Sequence, residues 1–338
     1  MMKAVGYKLA GPISDEASLV DIELAKPVAT GRDILVEVKA VSVNPVDYKV
    51  RRSTSAEGEE WKVLGWDAAG IVRETGPEAT RFRPGDAVYY AGSITRPGTN
   101  AQLHLVDERI VGHKPATLDW AQAAALPLTS LTAWETLFDR LDVRRPVPGA
   151  APALLIVGGA GGVGSIAIQI ARQLTDLTVI ATASRKETRD WVSALGAHHV
   201  LDHSRPLATQ IEDAELGAPA FVFSTTRTDL HAADIAELIA PQGRFALIDD
   251  PETFDAMLFK RKAVSIHHEL IFTRSMFGTP DMAEQGNILD AIADLVDEGR
   301  IGTTLTERLA PIDAANLKRA HALIESGTAK GKVVLEGW

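Results

Sequence analysis

The stretch ALLIVGGAGGVGSIAIQIARQL, residues 153–174, decides the fold. It opens with an apolar run short enough for a buried strand, and it closes with VGSIAIQIARQL, which has helical periodicity. Val163, Ile166, Ala167, Ile170, Ala171 and Leu174 fall on one face of that helix. Between the two lies GGAGGVG (158–164), where Gly159, Gly161 and Gly164 fit G-x-G-x-x-G and Gly162 and Val163 fill the gap. The first glycine permits a tight turn, the second lets a diphosphate approach the backbone, and the third lets the helix lie close to the strand. The helix start adds unpaired N–H groups and the positive end of a dipole. Strand, turn and helix in this order imply a dinucleotide-binding turn.

The same rhythm continues outward through TVIATA (178–183), HHVLD (198–202), AFVFST (220–225), RFALID (244–249) and AVSIHHEL (263–270). Strands alternating with helices imply a parallel sheet covered on both faces, and six such runs fit a doubly wound Rossmann domain. Ligands bind at the carboxyl ends of parallel strands, so Ser224, Thr225, Ile248 and Asp249 are expected to face the cofactor. After the second strand comes ASRKETR (183–189), with no acidic residue where an NAD-preferring fold places one for the ribose diol. Ser184 and Arg185 stand there instead, with Lys186 and Arg189 close by. A hydroxyl and a guanidinium suit a 2′-phosphate, which points to NADPH.

Before residue 119 the pattern is different. In DILVEVKAVSV (33–43), Ile34, Val36, Val38 and Ala40 share one face while Glu37 and Lys39 take the other. AAGIVRETG (68–76), DAVYYAG (86–92) and AQLHLVD (101–107) are further short strands, each bounded by turn residues. Strands so closely spaced suggest a compact, mainly antiparallel, barrel-like domain. DWAQAAALPLTSLTAWETLFDRL (119–141) has helical spacing interrupted at Pro127. A helix is expected over Met282–Glu298, and GKVVLEG (331–337) reads as a strand returning to the first domain. The expected division is 1–127 with 303–338 as the β-rich domain, and 128–302 as the Rossmann domain. A cleft is expected between them.

At 338 residues the chain has room for about two domains. Its 35 Lys and Arg stand against 45 Asp and Glu, a net charge of −10 that argues against a nucleic-acid partner. The absence of cysteine excludes disulfides and thiolate metal sites. The N-terminus lacks the apolar core of a signal peptide and no stretch is apolar enough to span a membrane, so a cytoplasmic protein is expected.

Several segments together resemble the medium-chain dehydrogenase/reductase superfamily: VSVNPVDYKVR (41–51), LGWDAAGIV (64–72), RPGDAVYYAG (83–92), ALPLTSLTAWETL (125–137), VGGAGGVGSIAIQIAR (157–172) and LGAHHVLDH (195–203). HHELIFTRSMF (267–277) and AHALIESGTAKGKVVLEG (320–337) extend the likeness over essentially the whole chain. Within that superfamily the sequence looks like the zinc-independent quinone oxidoreductase branch, and most like the group called zinc-type alcohol dehydrogenase-like proteins. The resemblance implies a GroES-like, β-rich catalytic domain beside the Rossmann domain. It also implies NADPH-dependent hydride transfer to a quinone or another α,β-unsaturated carbonyl, in a homodimer paired through AVSIHHEL.

Zinc-dependent relatives carry a cysteine where this chain reads Asn44-Pro45-Val46-Asp47, and Gly-His-Glu where it reads Gly65-Trp66-Asp67, so no metal site is expected. By resemblance, Asn44, Asp47 and Tyr48 line the catalytic cleft, and Thr129, His203 and Lys332 lie near the cofactor. Asp47 could equally cap the following turn, and Thr129 could cap a helix after Pro127. Trp66, Tyr89, Tyr90, Phe272 and Phe277 are candidates for an aromatic wall that accepts a flat substrate. Three other readings stay open on the same residues: a 2-enoyl-thioester reductase, a zinc alcohol dehydrogenase, and an NADPH-binding sensor or structural protein without catalysis.

Overall fold

The structure, a computed structural model, describes all 338 residues. The chain forms two compact units, Met1–Leu131 together with Phe272–Trp338, and Thr132–Ile271. No helix is long and apolar enough to cross a membrane.

The first unit opens with β1 (Met2–Tyr7), β2 (Val20–Leu24) and the long β3 (Asp33–Val43). Helix α1 (Pro45–Ser53) follows, with Pro45 presetting the backbone of its first turn. Then come β4 (Lys62–Val63), β5 (Ala68–Thr75), β6 (Ala87–Tyr90), β7 (Leu103–Asp107) and β8 (Val111–His113). Ile34, Val36, Val38 and Ala40 are buried along β3, while Glu37 and Lys39 on its other face stay half-buried. That strand organises the sheet, pairing antiparallel with β5 from Ile34↔Thr75 to Val41↔Ala68 and with β7 along its first half. Short helices α2 (Trp120–Ala124) and α3 (Pro127–Trp134) lead to the second unit, and the break between them falls at Pro127.

In the second unit β9 (Ala151–Val157), α4 (Gly162–Leu174), β10 (Thr178–Thr182), α5 (Lys186–Ala194) and β11 (His199–Leu201) alternate. They are followed by α6 (Leu207–Asp213), β12 (Pro219–Ser224), α7 (Thr228–Leu238), β13 (Arg244–Leu247) and β14 (Ser265–His268). All pairs are parallel, in the order β11-β10-β9-β12-β13-β14, with β14 as an edge. The core beneath holds Leu155, Val157, Ile180, Val222, Phe245 and Leu247. α4 forms as its spacing requires: Ile166, Ala167, Ile170 and Ala171 are buried and Arg172 points outward. The chain runs from β9 outward to β11, then returns to β12 on the other side of β9. The order therefore reverses between β9 and β12, and a ligand crevice opens at such a switch point beyond the strand ends.

The chain then re-enters the first unit with α8 (Thr273–Phe277), α9 (Glu284–Asp297), β15 (Leu305–Leu309), α10 (Ala314–Glu325) and β16 (Lys332–Glu336). β16 pairs antiparallel with β3 and parallel with β15. The division of the chain differs from the expected one here, because residues 272–302 belong with the β-rich unit. The reason is specific anchoring. The Tyr89 hydroxyl donates to the Leu289 carbonyl at 2.6 Å, and Arg81 pairs with Asp290 at 2.9 Å. The Asp297 carboxylate accepts the backbone N–H groups of Ala116 and Thr117. A side chain at Gly112 would meet Leu289 at 2.4 Å, so that glycine lets α9 lie directly on β8.

The second unit also buries an acidic pair. Glu135 opens a π-helical turn, Glu135–Arg140, and its buried carboxyl faces that of Glu269 just after β14. Arg140 Nε donates to Glu269 Oε2 at 2.7 Å, while Glu269 Oε1 is buried without a partner. Burial, and then the neighbouring Glu135 charge, push the Glu269 carboxyl up to about 8. The folded state therefore holds a proton that the unfolded chain releases near its ordinary value of 4.5. The stability this contributes is complete below that value and is lost as pH rises toward 8, at up to about 1.4 kcal/mol per pH unit. Glu269→Gln, which mimics the protonated acid, should flatten the decline. Thermal melts of parent and variant at about pH 5.5 and about pH 8.5 test it, and equal losses in both would remove the assignment.

Candidate active site

The glycine turn after β9 is held from behind by β10. The Gly158 N–H donates to Thr182 Oγ1 at 3.0 Å, and the Gly159 N–H to the Thr182 carbonyl at 3.1 Å. Gly158 adopts φ +82°, a left-handed conformation that lets the chain reverse above the strand. The other two glycines of interest serve different ends. A Cβ at Gly164 would stand 2.5 Å from the Gly158 carbonyl oxygen, so this position is closed by the fold's own backbone. A Cβ at Gly161 would meet nothing nearer than 3.6 Å, and the space above it is open. Gly161 is the N-cap of α4 and makes no side-chain cap bond, so the first-turn N–H groups of Gly162 and Val163 remain donors without a helical partner. Free donors, a helix dipole and room at Gly161 together fit a dinucleotide diphosphate.

Ser184 and Arg185 lie exposed beyond β10, with Arg185 as the N-cap of α5. Of the basic residues nearby, Arg189 is turned to the carbonyls of Ala183 and Val200, and Lys186 pairs with Asp190 at 2.6 Å. His203, after β11, lies 3.1 Å from the Thr182 hydroxyl through Nδ1, and burial lowers its pKa. Thr182 thus joins the glycine turn to His203. Sequence reading missed this buried residue because its two partners lie 24 and 21 positions away.

At the end of β12 the side chains turn to each other. Ser224 Oγ lies 2.8 Å from Thr228 Oγ1, and the Asp249 carboxylate accepts from the Thr228 N–H at 2.8 Å and from its hydroxyl at 2.5 Å. The Thr225 hydroxyl donates to the Val157 carbonyl at 2.9 Å. Ile248 donates its N–H to the Ser224 carbonyl. These four residues lie at or just beyond the ends of β12 and β13, where the carboxylate of Asp249 and the hydroxyl of Ser224 bind the start of α7. Their role here is to hold the ends of β9, β12 and β13 together.

In the first unit a buried polar cluster forms where β3 ends and β5 and β16 begin. Asp67, fully buried, accepts from the Leu128 N–H at 2.7 Å through Oδ1, and from Asn44 Nδ2 at 2.8 Å and Lys332 Nζ at 3.0 Å through Oδ2. Lys332 Nζ also donates to Asn44 Oδ1 at 2.5 Å and to the Val43 carbonyl at 3.2 Å. Asp47 Oδ2 accepts the Asn44 N–H at 2.7 Å, an N-terminal capping bond for α1, and its Oδ1 is buried without a hydrogen-bond partner. Burial pushes Asp47 up to about 7, with the nearby Lys332 charge lowering it and Asp67 raising it. Burial likewise raises Asp67, against the opposing pull of Lys332.

Tyr48 is half-buried and its hydroxyl has no partner in the protein. Thr129 lies inside α3, not at its cap, and its hydroxyl donates back to the Leu126 carbonyl at 3.1 Å. The residue missing from the sequence-level set is Asp67, the hub of the cluster. Its central place could be read only from three partners brought in from other strands and helices.

The five aromatic candidates do not form one wall. Trp66 is buried, donates Nε1–H to the Ser93 carbonyl at 3.3 Å, and meets Phe272 edge-on at 6.1 Å. Tyr90 stacks on His104, and a cavity of about 160 Å³ lies beside that histidine, lined also by Ser93, Arg96, Ile110 and Ser275. Tyr89, its neighbour on β6, must point to the opposite face and anchors α9 instead. Phe277 is 74% exposed. Trp66 and Phe272 are the pair that stays together.

Comparison with known proteins agrees with this architecture. Residues 30–117 match the family described as "Alcohol dehydrogenase GroES-like domain", and residues 195–335 match "Zinc-binding dehydrogenase". A zinc-type alcohol dehydrogenase-like protein of Staphylococcus aureus (strain MSSA476) is 39% identical over 336 residues, covering 99% of each chain. Among solved structures, a protein of Rhizobium etli CFN 42, provisionally described as a zinc-dependent alcohol dehydrogenase, is 75% identical with a TM-score of 0.99, over 100% of this chain and 98% of that one. A quinone oxidoreductase of Coxiella burnetii is 25% identical with a TM-score of 0.80, over 100% and 99%. The chain therefore belongs to the medium-chain dehydrogenase/reductase superfamily of oxidoreductases, among the zinc-type alcohol dehydrogenase-like proteins.

The contrast between the two glycines is testable. Gly161→Ala should leave stability within about 0.5 kcal/mol yet weaken dinucleotide binding at least about tenfold, since its methyl group enters the open cradle. Gly164→Ala should destabilise by about 1–3 kcal/mol through overpacking against Gly158. Thermal melts and a fluorescence titration with the dinucleotide separate the two. Unchanged binding by Gly161→Ala would displace the diphosphate from this turn.

Proposed function

We propose that the protein is an NADPH-dependent, zinc-independent reductase of quinones or other conjugated carbonyls. The observation that carries this reading is the Asp67–Lys332 pair. Both Asp67 oxygens are already taken, and one of them accepts from a lysine ammonium, a cation that a second cation could not join without repulsion. Asn44 spends its amide oxygen on the same ammonium, and Trp66 has no lone pair to offer. No group of three His, Asp or Glu side chains is arranged to hold a metal ion. The donor set does not fit zinc, so nothing in the mechanism is assigned to a metal.

The cofactor residues do fit. The N–H groups of Gly162 and Val163 at the start of α4 would hold the diphosphate, and Ser184 with Arg185 would hold a 2′-phosphate. When bound, the nicotinamide supplies the hydride. The protein then has to orient a flat acceptor, exclude water and meet the charge that develops on its oxygen. The free Tyr48 hydroxyl can donate to that oxygen. In a conjugated acceptor the incoming charge spreads over an enolate or hydroquinone anion, so one neutral donor is adequate where a localised alkoxide would call for a Lewis acid. The name of the Coxiella burnetii relative supports the quinone choice.

The direct test is oxidation of NADPH and NADH by metal-free protein against quinones, enones, simple ketones and enoyl thioesters. Turnover of quinones or enones with NADPH preferred is the expected result. Activity confined to simple ketones after zinc addition would overturn it, and binding without turnover would favour a sensor. Arg185→Glu should reduce kcat/KM for NADPH about 10–100-fold while changing that for NADH less than about threefold. An equal loss with both would sink the 2′-phosphate assignment.

Asp47 adds a pH signature. As pH rises through about 7 its carboxyl ionises and adds a negative charge to the buried cluster, which opposes the negative charge a substrate gains on reduction. Turnover should fall over that range, and Asp47→Asn, which keeps an acceptor for the Asn44 N–H, should remove the decline. A profile from about pH 6 to about pH 9 that is the same for both proteins would show that Asp47 does not govern it.

A further inference from the structure

Lys332 was expected beside the cofactor, and its surroundings assign it a different task. It is 3% exposed, and three oxygens surround its nitrogen: Asn44 Oδ1 at 2.5 Å, Asp67 Oδ2 at 3.0 Å and the Val43 carbonyl at 3.2 Å. An ammonium has three N–H donors, so none is left for a phosphate. The three acceptors are fixed by the sheet: Val43 and Asn44 close β3, Asp67 precedes β5, and Val333 pairs with Val43 across the β3–β16 ladder. The Lys332 backbone N–H is itself fixed on the Thr304 carbonyl at 2.9 Å.

The orientation of Asn44 follows from this arrangement. Its amide oxygen faces Lys332 and its amide nitrogen faces Asp67, so a flipped amide would set Nδ2 against the ammonium and Oδ1 against the carboxylate.

We propose that Asn44 Oδ1, Asp67 Oδ2 and the Val43 carbonyl form an ammonium-binding cradle whose resident occupant is the Lys332 side chain. Lys332 is thus a positioning residue, an internal cation that fixes Asn44 and Asp67. This inference rests on the cradle geometry and stands apart from the hydride-transfer reading.

Lys332→Ala removes Cγ, Cδ, Cε and Nζ, which are the heavy atoms of n-propylammonium. The variant should melt several degrees below the parent, and n-propylammonium should restore the melting temperature saturably. Methylammonium should do so less well. Tetramethylammonium, which has no N–H, should do nothing beyond its effect on the parent. In turnover assays kcat should drop about tenfold or more and recover with n-propylammonium, while KM for NADPH stays within about twofold.

Absence of rescue by any primary ammonium, or equal rescue by tetramethylammonium, would overturn the cradle. So would a tenfold rise in KM for NADPH with an unchanged melting temperature.

Should Lys332→Ala fail to fold, ¹⁵N-lysine NMR of the intact protein gives the answer. A slowly exchanging Lys332 ammonium signal, unmoved by saturating NADPH, is expected. A signal in fast exchange, or one shifted by NADPH, refutes the proposal. The melting and NMR readings hold even if no substrate is turned over, so failure of the cradle and failure of the reductase reading are separable.

Discussion

A buried ion pair governs the β-rich unit. Asp67 and Lys332 are both almost wholly removed from water, at a desolvation cost that Coulomb attraction alone does not offset. What makes the pair tolerable is that nearly every valence is used. Asp67 takes donors from Leu128, Asn44 and Lys332, and Lys332 spends all three of its N–H groups. Removing either partner would strand a buried charge, typically a loss of about 3–5 kcal/mol. The pair therefore fixes four elements at one point: the end of β3, the starts of β5 and β16, and the first turn of α3. At α3 the bond is well placed. Pro127 at the first position has no N–H, so Leu128 brings the first donor, and a carboxylate there also meets the positive end of the dipole.

The two units build their sites by opposite means. Around Gly161 the working groups are backbone N–H donors, positioned by a helix start and left open because the residue has no side chain. Such a site needs no side chain to be held in place. Around Asp67 the working groups are side chains already bound to each other, and the cluster is buried. In the proposed reading its effect on a ligand passes through orientation and field, with the charge state of Asp47 as the variable part.

This difference decides what could be read from the sequence. The turn at 158–164 was legible because strand, glycines and helix are contiguous, and the six strand runs followed from the same local rhythm. The return of GKVVLEG to the first unit was legible from its β character. The attachment of α9 was not: its amphipathic pattern says that it buries one face but not against what, and the anchors at Tyr89, Arg81 and Gly112 lie roughly 180–210 residues away. The aromatic set failed for a simpler reason. Tyr89 and Tyr90 are adjacent in a strand, so the pleat sends them to opposite faces. Ser224 and Asp249 stood at the right strand ends, yet Thr228, unremarked in the sequence, claims both side chains.

The charge balance of the cluster connects these points to chemistry. Asp67 and Lys332 cancel, and below about 7 Asp47 is neutral, so the group carries almost no net charge while holding several strong dipoles in place. An environment of that kind does little for a full charge localised on one oxygen, because no cation in it is free to approach. Lys332 cannot leave its three acceptors without exposing Asp67, and Asn44 cannot turn without opposing both. A delocalised anion makes a smaller demand at any one atom, and in the proposed reading the single hydroxyl of Tyr48 meets it. The same saturation that makes the buried pair stable is what supports the proposed choice of acceptors that carry much of the incoming charge within their own conjugation.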